Sequence, residues 1–369
     1  MLSLMDEPPA VNNGLSAWTP PTQFEHFRLL RRLGQGSMGQ VFVGHDGLLD
    51  RAVAIKFIAA MSPDEGAQLR FMREARAIAR LHHPNVVTVH SIGQVDGRPY
   101  LVTELVRGRS LAQLERPLSG ARVLSIAIDL CRGLAAAHRR GVLHRDLKSA
   151  NAIDSDEGTV KLLDFGLAKL VSRPRAHSSQ PEFTDLIDTA MAAEFPPILV
   201  AASVTQRGML IGTPLYIAPE IWRGQPASVQ TDLYSLGAVL YELSTGLPPA
   251  HAGTLSELRR KVLAGGIPAC SSLASAIDAR LAQAIDRCLA RDPVARPRSA
   301  EDLLQDLLSI QPQHTRHPPD GNPFRGLHVF HAEHRAMFFG RESDLTEAIE
   351  RLRTQSLVVL RRGGGPAPA

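Results

Sequence analysis

The chain is poor in aromatic residues and in lysine, and both shortages limit what it can bind. Aromatic residues make up 5% of the 369 residues, and only five of the 41 basic residues are lysine. A nucleic-acid-binding protein typically carries a dense basic stripe with interleaved aromatic residues. The net charge is only +4 and no such stripe is present, so we expect no nucleic-acid partner.

Cysteine is also scarce, and long apolar runs are absent. The three cysteines, Cys131, Cys270 and Cys288, lie far apart without paired spacing, and Cys131 and Cys288 fall in helix-like apolar runs. This pattern predicts buried free thiols in a reducing compartment. No apolar run reaches the roughly 18 residues of a membrane-spanning helix, and the N-terminus lacks the features of a signal peptide. We therefore expect a cytoplasmic protein with no membrane span.

The most informative stretch is residues 143–151 (LHRDLKSAN), followed thirteen residues later by Asp164 of a DFG triplet. A hydroxyl that attacks a phosphoryl group needs a carboxylate to orient it and accept its proton, and Asp146 can do this. Nucleotide oxygens need a divalent metal held by hard oxygen ligands, which Asn151 and Asp164 can supply. Lys148 adds a cation beside the transferring group. This combination is typical of phosphoryl transfer in protein kinases.

A glycine-rich segment, residues 34–42 (GQGSMGQVF), precedes that stretch. Gly34, Gly36 and Gly39 would let the backbone amides of a hairpin approach phosphates without obstruction by side chains. The spacing alone is a weak signal, because it also fits a dinucleotide-binding fold. That alternative needs the glycines to open a helix, whereas strand-like residues 41–44 follow here, as a hairpin requires.

A lysine lies inside the short β-branched run at residues 53–58 (VAIKFI). Lysine is disfavoured in a buried strand unless it is paired. The partner that we expect for Lys56 is Glu74, in the helix-periodic segment at 69–81. Taken alone, that segment also fits a surface helix with a solvated Glu74; Lys56 and the upstream glycines favour the pairing.

Strand patterns precede helical patterns along a chain of globular composition, with 44% hydrophobic and 21% charged residues. Strand-like segments occupy residues 27–33, 41–44, 53–58, 86–92 and 100–105, and helical segments occupy 119–139, 229–243, 255–264, 276–289 and 300–310. The order predicts an α+β fold, with a small sheet lobe above a larger helical lobe.

Together these motifs resemble the eukaryotic-like protein kinase family, in the Ser/Thr branch found in bacteria, over residues 26–309. The segments GTPLYIAPE at 212–220 and DLYSLG at 232–237, with Arg296, extend the match. The resemblance implies a two-lobed protein kinase fold, ATP and Mg²⁺ as cofactors, and protein serine or threonine hydroxyls as acceptors. It also implies self-association as a route to phosphorylation of one copy by another.

The resemblance assigns roles to individual residues. Lys56 would hold the α- and β-phosphates and pair with Glu74, and Asp146 would be the catalytic base beside Lys148. Asn151 and Asp164 would hold the metal. The nucleotide site would be lined by Leu33, Gly34, Gly36, Gly39, Val41, Ala54, Lys56, Glu74, Glu104, Val106 and Ile153.

Four further residues would be structural by the same resemblance. Glu220 would pair with Arg296 to brace the substrate segment, and Asp232 would anchor the catalytic loop from below. Thr213 would place its hydroxyl near the catalytic residues. None of the catalytic Lys, Asp and Asn residues is missing, as one often is in a pseudokinase.

The resemblance also implies a phosphorylation switch. Arg145 precedes the catalytic Asp146 and would receive a phosphate from the activation segment, with Lys169 as a second cation. Thr205, eight residues before Thr213, stands where related bacterial kinases carry their activating threonine, and Ser203 is the second candidate. A phosphate brings nearly two negative charges, enough to order a loop against such cations.

Three segments depart from the family pattern. The run after Asn151 turns polar early, so Ile153 would form the floor of the adenine site with less contact area. Thr103 stands at the position of the family's gatekeeper residue, and its short side chain would leave a back pocket open. The activation segment, residues 164–220, is long and carries an insertion at about 172–203 with helix-start signals. This insertion fits either a tolerated surface loop or a docking or autoinhibitory helix.

The ends of the chain lie outside the kinase-like domain, which we place at 26–310 with lobes at 26–105 and 106–310. Residues 1–25 have the composition of a flexible tail, and 311–323 that of a linker. Residues 324–369 resemble the opening of a STAND-type ATPase module. They end in a run of Gly, Pro and Ala without the P-loop lysine, so we expect no second nucleotide site.

Two alternatives to an active Ser/Thr kinase stay open. A small-molecule phosphotransferase would share the nucleotide site but generally lacks the platform at residues 218–220 (APE). A kinase-fold binding module that gates a partner ATPase would need no transfer activity at all.

Overall fold

The computed structural model describes residues 18–36, 39–58, 65–165, 213–274 and 277–311. Several sequence-based predictions lie outside these ranges. They are Lys169, Thr205, Ser203, the insertion at 172–203, most of the linker at 311–323 and the ATPase-like fragment at 324–369.

An antiparallel sheet of six strands forms the first part of the described chain, in the order β1-β2-β3-β4-β6-β5. Its strands are β1 (Gln23–Phe24), β2 (Phe27–Gly36), β3 (Gly39–Asp46), β4 (Arg51–Ile58), β5 (Val89–Val95) and β6 (Arg98–Glu104). Side chains alternate between faces along a strand. In β4, Val53, Ile55 and Phe57 are buried on one face, so Ala54 and Lys56 lie on the other.

The two faces of this sheet have different partners. Ile58 and Leu101, on the same face as Lys56, pack with Ala75 and Ile78 of helix α1 (Glu65–Ala79). The opposite face is covered by a cluster of six aromatic side chains: Trp18, Phe24, Phe27, Phe42, Phe57 and Tyr100. Lys56 therefore points toward the interior of the molecule, while the aromatic rings close the outer face.

The flexible tail expected at residues 1–25 includes residues that pack on the sheet. Phe24 lies in β1 with 8% of its surface exposed. Trp18 packs edge-on against Phe57 with ring centroids 5.3 Å apart. Burial of aromatic surface holds this segment on the sheet, a long-range contact that its Pro-rich local composition does not indicate.

Helices dominate the second part of the described chain. They are α2 (Gly120–His138), α3 (Pro219–Trp222), α4 (Val229–Thr245), α5 (Leu255–Ala264), α6 (Cys270–Leu273), α7 (Ala279–Cys288) and α8 (Ala300–Ile310). Helices α2 and α4 are buried along most of their length and form the centre of this lobe. All three cysteines are buried with free thiols, as predicted. Within the described ranges, no helix is long and apolar enough to cross a membrane.

Several element boundaries differ from the sequence-based prediction, and two of these differences have a clear structural cause. Strand β5 begins at Val89 and not at residue 86, because Val86 forms an isolated parallel bridge with Leu162. Helix α7 begins at Ala279, because the Asp278 side chain accepts a hydrogen bond from the backbone N–H of Arg280 and caps the helix there.

A buried ion pair fixes helix α3 to the rest of the helical lobe. Both guanidinium nitrogens of Arg296 donate to the carboxylate of Glu220, at 2.7 and 2.8 Å. The two residues are 2% and 3% exposed. Arg296 also lies over the ring of Tyr234, 4.9 Å from its centroid. This is the pair that the resemblance predicted.

The charge of Glu220 is stabilised by these contacts. Burial alone would raise the pKa of its carboxyl group, but the hydrogen bonds from Arg296 and Thr231 outweigh burial and leave the pKa below its ordinary value. Glu220 is therefore ionised at neutral pH, and removal of its partner would leave a buried charge without compensation.

Arg296→Ala is accordingly expected to lower the free energy of unfolding by about 3–5 kcal/mol, the usual cost of breaking one side of a buried ion pair. Thermal unfolding of the variant measures this loss as a fall in Tm. Arg298→Ala is the matched control, because Arg298 is exposed and only its backbone oxygen accepts a hydrogen bond, from Gln230. Equal Tm values for the two variants would contradict the bracing role.

Candidate active site

The loop at residues 143–151 is held from below by the carboxylate of Asp232, near the start of α4. One oxygen accepts from the backbone N–H of His144 and the other from that of Arg145, both at 2.8 Å. The ring of His138, at the end of α2, lies 2.9 Å from the first oxygen. Asp232 is 1% exposed, so these hydrogen bonds form in a low-dielectric environment. The anchoring role predicted for Asp232 agrees with this geometry.

His144 connects the loop to the DFG segment. Its side chain is fully buried, its Nε2 lies 2.9 Å from the backbone oxygen of Leu163, and its ring lies 4.7 Å from that of Phe165. Burial lowers the pKa of His144 below the ordinary value, against the raising effect of Asp232 and other carboxylates. The ring is therefore neutral at pH 7, and its Nε2–H can donate to Leu163.

The candidate catalytic side chains lie together above this anchor. The Nζ of Lys148 is 3.0 Å from Oδ2 of Asp146. The side-chain amide of Asn151 donates to the same oxygen at 3.0 Å and to the backbone oxygen of Asp146 at 2.8 Å. Asp146 is 4% exposed. One amide and one cation are thus each held within hydrogen-bond distance of one carboxylate.

The predicted pairing of Lys56 with Glu74 is wrong in this structure. The Nζ of Lys56 lies 2.8 Å from Oδ2 of Asp164, and Glu74 binds Arg145 instead, at 2.6 Å. Arg145 adopts a left-handed backbone with φ of +61°, while Asp232 holds its N–H. Lys56 and Glu74 thus each pair with another oppositely charged residue. The position of α1 against the loop decides which partner Glu74 can reach.

Most of the predicted nucleotide-lining residues lie on strands of the two sheets. Val41 pairs with Lys56 across β3 and β4, and Ala54 pairs with Thr103 of β6, so these four share one face of the sheet. Leu33 is 45% exposed, on β2 with Gly34 and Gly36. Ile153 lies in β8 (Ala152–Ser155), which pairs with β7 (Gly108–Ser110) and β9 (Val160–Leu162).

Glu104, the last residue of β6 before the connection between the two lobes, forms an ion pair that sequence reasoning missed. The Nζ of Lys161, on β9, is 2.9 Å from both carboxylate oxygens of Glu104. Glu104 also accepts from the backbone N–H of Thr88 at 2.8 Å. The side chain of Glu104 therefore links β6 to β9, and Val106 follows it half-buried. Lysine is scarce in this sequence, and this scarcity could have drawn attention to Lys161.

A second missed group lies beneath the loop, around Glu242 of α4. Its Oε2 accepts from the hydroxyls of Tyr216 and Ser149, at 2.7 and 3.0 Å, and its other oxygen binds Arg116. The Ser149 and Tyr216 hydroxyls are themselves 2.7 Å apart. Tyr216 belongs to the turn Thr213–Tyr216, so this network ties the segment after Thr213 to the catalytic loop. The signal in the sequence was an acidic residue, Glu242, within the largely apolar pattern of α4.

Asn151 and Asp164 fit the coordination habits of Mg²⁺. They offer hard oxygen atoms, and Mg²⁺ is commonly held by one or two protein groups together with substrate phosphates. The side chain of Asp164 is 36% exposed, and only its Oδ2 is engaged by Lys56. In the described ranges no group of three or more His, Cys, Asp or Glu side chains could hold a metal.

Comparisons with known proteins assign most of this chain to one family. The protein kinase domain family matches residues 27–309, and the family described as Novel STAND NTPase 1 matches residues 323–365. Serine/threonine-protein kinase PknD of Protochlamydia amoebophila is 32% identical over 78% of this chain and 30% of its own length. PknB of Mycobacterium tuberculosis is 32% identical over 82% of this chain and 45% of its own length. The chain thus spans less than half the length of these two relatives.

Solved structures show the same likeness. The crystal structure of the Mycobacterium tuberculosis PknI kinase domain superposes with a TM-score of 0.56 at 26% identity, over 77% of this chain and 95% of that one. A point mutant of the same domain superposes with a TM-score of 0.55. The two-lobed fold agrees with these matches: the chain belongs to the protein kinase domain family, among relatives named as bacterial serine/threonine-protein kinases.

Proposed function

We propose that the chain is an active Ser/Thr protein kinase that transfers the γ-phosphoryl group of ATP to serine or threonine hydroxyls of proteins. The observation that carries the proposal is the arrangement of Asp146, Lys148 and Asn151 on one anchored loop, with Lys56 and Asp164 in contact beside it. A kinase needs these five groups, and all five are intact.

The loop residues have distinct tasks in this mechanism. Asp146 orients the acceptor hydroxyl and takes its proton, while Asn151 holds that carboxylate in place. Lys148 neutralises negative charge that develops on the transferring group. Bound Mg-ATP would supply the phosphoryl group, Lys56 would hold its phosphates, and Asn151 and Asp164 would hold the metal. Lys56 and Asp164 now contact each other, so a bound nucleotide would draw Lys56 to its phosphates and Asp164 to the metal.

Protein acceptors are favoured over small molecules by the segment after the activation loop. The Glu220–Arg296 pair and the Tyr216–Glu242–Ser149 network hold this segment against the catalytic loop. A rigid surface beside the catalytic carboxylate suits an extended peptide. A small-molecule phosphotransferase has no need of it.

Three substitutions separate the assigned roles. Asp146→Asn should reduce phosphate transfer by about a hundredfold or more, as loss of a general base does, yet leave ATP binding intact. Lys56→Met should also abolish transfer while keeping the fold, because an unbranched side chain remains. Asp164→Asn should weaken binding of Mg-ATP as well. A radiolabelled transfer assay on a generic protein acceptor, with nucleotide titration beside it, measures both effects.

Asp156→Asn is the control for these variants, because Asp156 lies exposed in the turn between β8 and β9. It should match the unmodified chain in transfer and in nucleotide binding. Turnover close to that of the unmodified chain in Asp146→Asn would refute the base assignment. Absence of transfer from the unmodified chain would instead favour a binding module that gates a partner ATPase.

We also propose that autophosphorylation of Thr205 activates the enzyme. The argument rests on Arg145, which binds Glu74 through its guanidinium group. A phosphate with nearly two negative charges would compete with the single charge of Glu74 for Arg145, and Lys169 would be its second cation. Release of Glu74 would then allow it to reach Lys56, the pairing that an active kinase requires.

Thr205→Ala should therefore lose most transfer activity, and Ser203→Ala is the matched control that should keep it. Phosphosite mapping after incubation with ATP is expected to find Thr205 modified in the unmodified chain and unmodified in Asp146→Asn. Full activity with Thr205 unphosphorylated would place the switch at another residue.

A further inference from the structure

A cavity of about 250 Å³ lies on the helical lobe between α3, α4, α5 and α7. Its apolar wall is formed by Pro219 at the start of α3, Val262 of α5 and Leu289 after α7. Val262 and Leu289 are 3% and 7% exposed. None of the residues of the nucleotide site or of the catalytic loop lines it. The cavity therefore belongs to a surface that phosphoryl transfer itself does not use.

The rim of the cavity carries two glycines in sequence. Gly265 and Gly266 have φ of +80° and +94°, values that residues with side chains rarely adopt. A Cβ built at either position would have no atom within 4 Å. This stretch of the rim is therefore bare backbone, and the entrance on that side is open.

A carboxylate without a cationic partner lines the cavity. One oxygen of Asp286 accepts from the backbone N–H of Cys270 at 2.8 Å. Burial raises the pKa of Asp286 above its ordinary value, and this single hydrogen bond only partly opposes the rise. Arg291 also lines the cavity, but it forms no ion pair with Asp286. Among the described residues, no other cation does so either. A bound cation would compensate this half-buried charge.

A tyrosine adds a second polar group. Tyr234 lines the cavity and is 2% exposed. Its ring is covered by the guanidinium group of Arg296, whereas its hydroxyl has no hydrogen-bond partner within the described part of the chain. This oxygen is not one of the fully buried unpaired side-chain atoms, so it reaches the surface of the cavity, where a ligand can bind it. The cavity thus combines an apolar wall with two polar groups that a ligand can satisfy.

We propose that this cavity is a docking site for an arginine or lysine side chain of a protein substrate. The aliphatic stem of such a side chain would lie against Val262 and Leu289, as these stems commonly do on apolar surface. Its cationic head would donate to Asp286 and to the Tyr234 hydroxyl. Because Pro219 directly precedes Glu220 of the substrate platform, a side chain docked here would belong to the protein being phosphorylated. This last step rests on the proposed kinase function.

The binding test uses two small probes on the full chain labelled with nitrogen-15. n-Butylguanidinium carries the stem and the charge of arginine, and N-butylurea is its neutral counterpart. The cation should shift the backbone amide signals of Gly265 and Gly266 with a dissociation constant in the millimolar range, and N-butylurea should bind about tenfold more weakly or not at all. Equal binding of the two probes, or no shift from either, would overturn the proposal.

A variant pair identifies the group responsible. Asp286→Asn should weaken n-butylguanidinium binding about tenfold, because the amide keeps an acceptor for Cys270 but loses the charge. Asp306→Asn is the control, since Asp306 is an exposed acid that pairs with Arg287. The Tm of Asp286→Asn should not fall, because the lost charge had no partner. Unchanged probe binding in Asp286→Asn would overturn the assignment.

The substrate arm uses myelin basic protein as an arginine-rich acceptor. Asp286→Asn should raise its KM severalfold and leave kcat and the KM for ATP unchanged; an unchanged KM for this acceptor would overturn the substrate assignment.

Failure of the proposed function and failure of the docking site give different results. If the unmodified chain transfers no phosphate, the proposed function fails while the probe titration still reports on the cavity. If the probe does not bind, the docking site fails whatever the activity.

Discussion

The site depends on one buried carboxylate, that of Asp232. It accepts the backbone N–H groups of two consecutive residues, His144 and Arg145, and these would otherwise be buried without partners at a cost of about 1–3 kcal/mol each. A carboxylate with two acceptor oxygens can satisfy both amides at once, which forces the turn that brings Asp146 upward. Arg145 consequently takes a left-handed backbone, with φ of +61°, and this aims its side chain at Glu74.

Among the residues that the structure describes, three ion pairs connect the sheet lobe to the helical lobe: Lys56–Asp164, Glu74–Arg145 and Glu104–Lys161. All three have partly exposed partners, so water and salt weaken them more than they weaken the buried Glu220–Arg296 pair. Pairs of this kind can exchange partners at small energetic cost. Within the helical lobe the Glu220–Arg296 pair is buried and costly to break, whereas the ion pairs between the lobes are partly exposed and can change.

The chemistry-bearing residues were predictable from the sequence, because the reaction demands particular residue types at short fixed spacings. Asp146 and Asn151 lie five residues apart in one loop, and Lys56 was recognised as a lysine inside a β-branched run that needs a partner. Their partners were not predictable in the same way. Lys56 lies beside both Asp164 and the helix of Glu74, and only the position of α1 decides between them. His138, Lys161 and Glu242 were missed because their contacts lie far away in the sequence. The packed Trp18 was missed for the same reason.

Hydrogen exchange at the backbone amides of His144 and Arg145, compared between the unmodified chain and Asp232→Asn, tests the central claim most directly. The asparagine amide group is a donor where Asp232 has an acceptor oxygen, so at least one of the two backbone amides must lose its partner. We expect faster exchange at these amides together with a loss of phosphate transfer of at least about tenfold, in line with loss of a charge-assisted hydrogen bond. Unchanged protection of both amides, with transfer equal to that of the unmodified chain, would contradict the account.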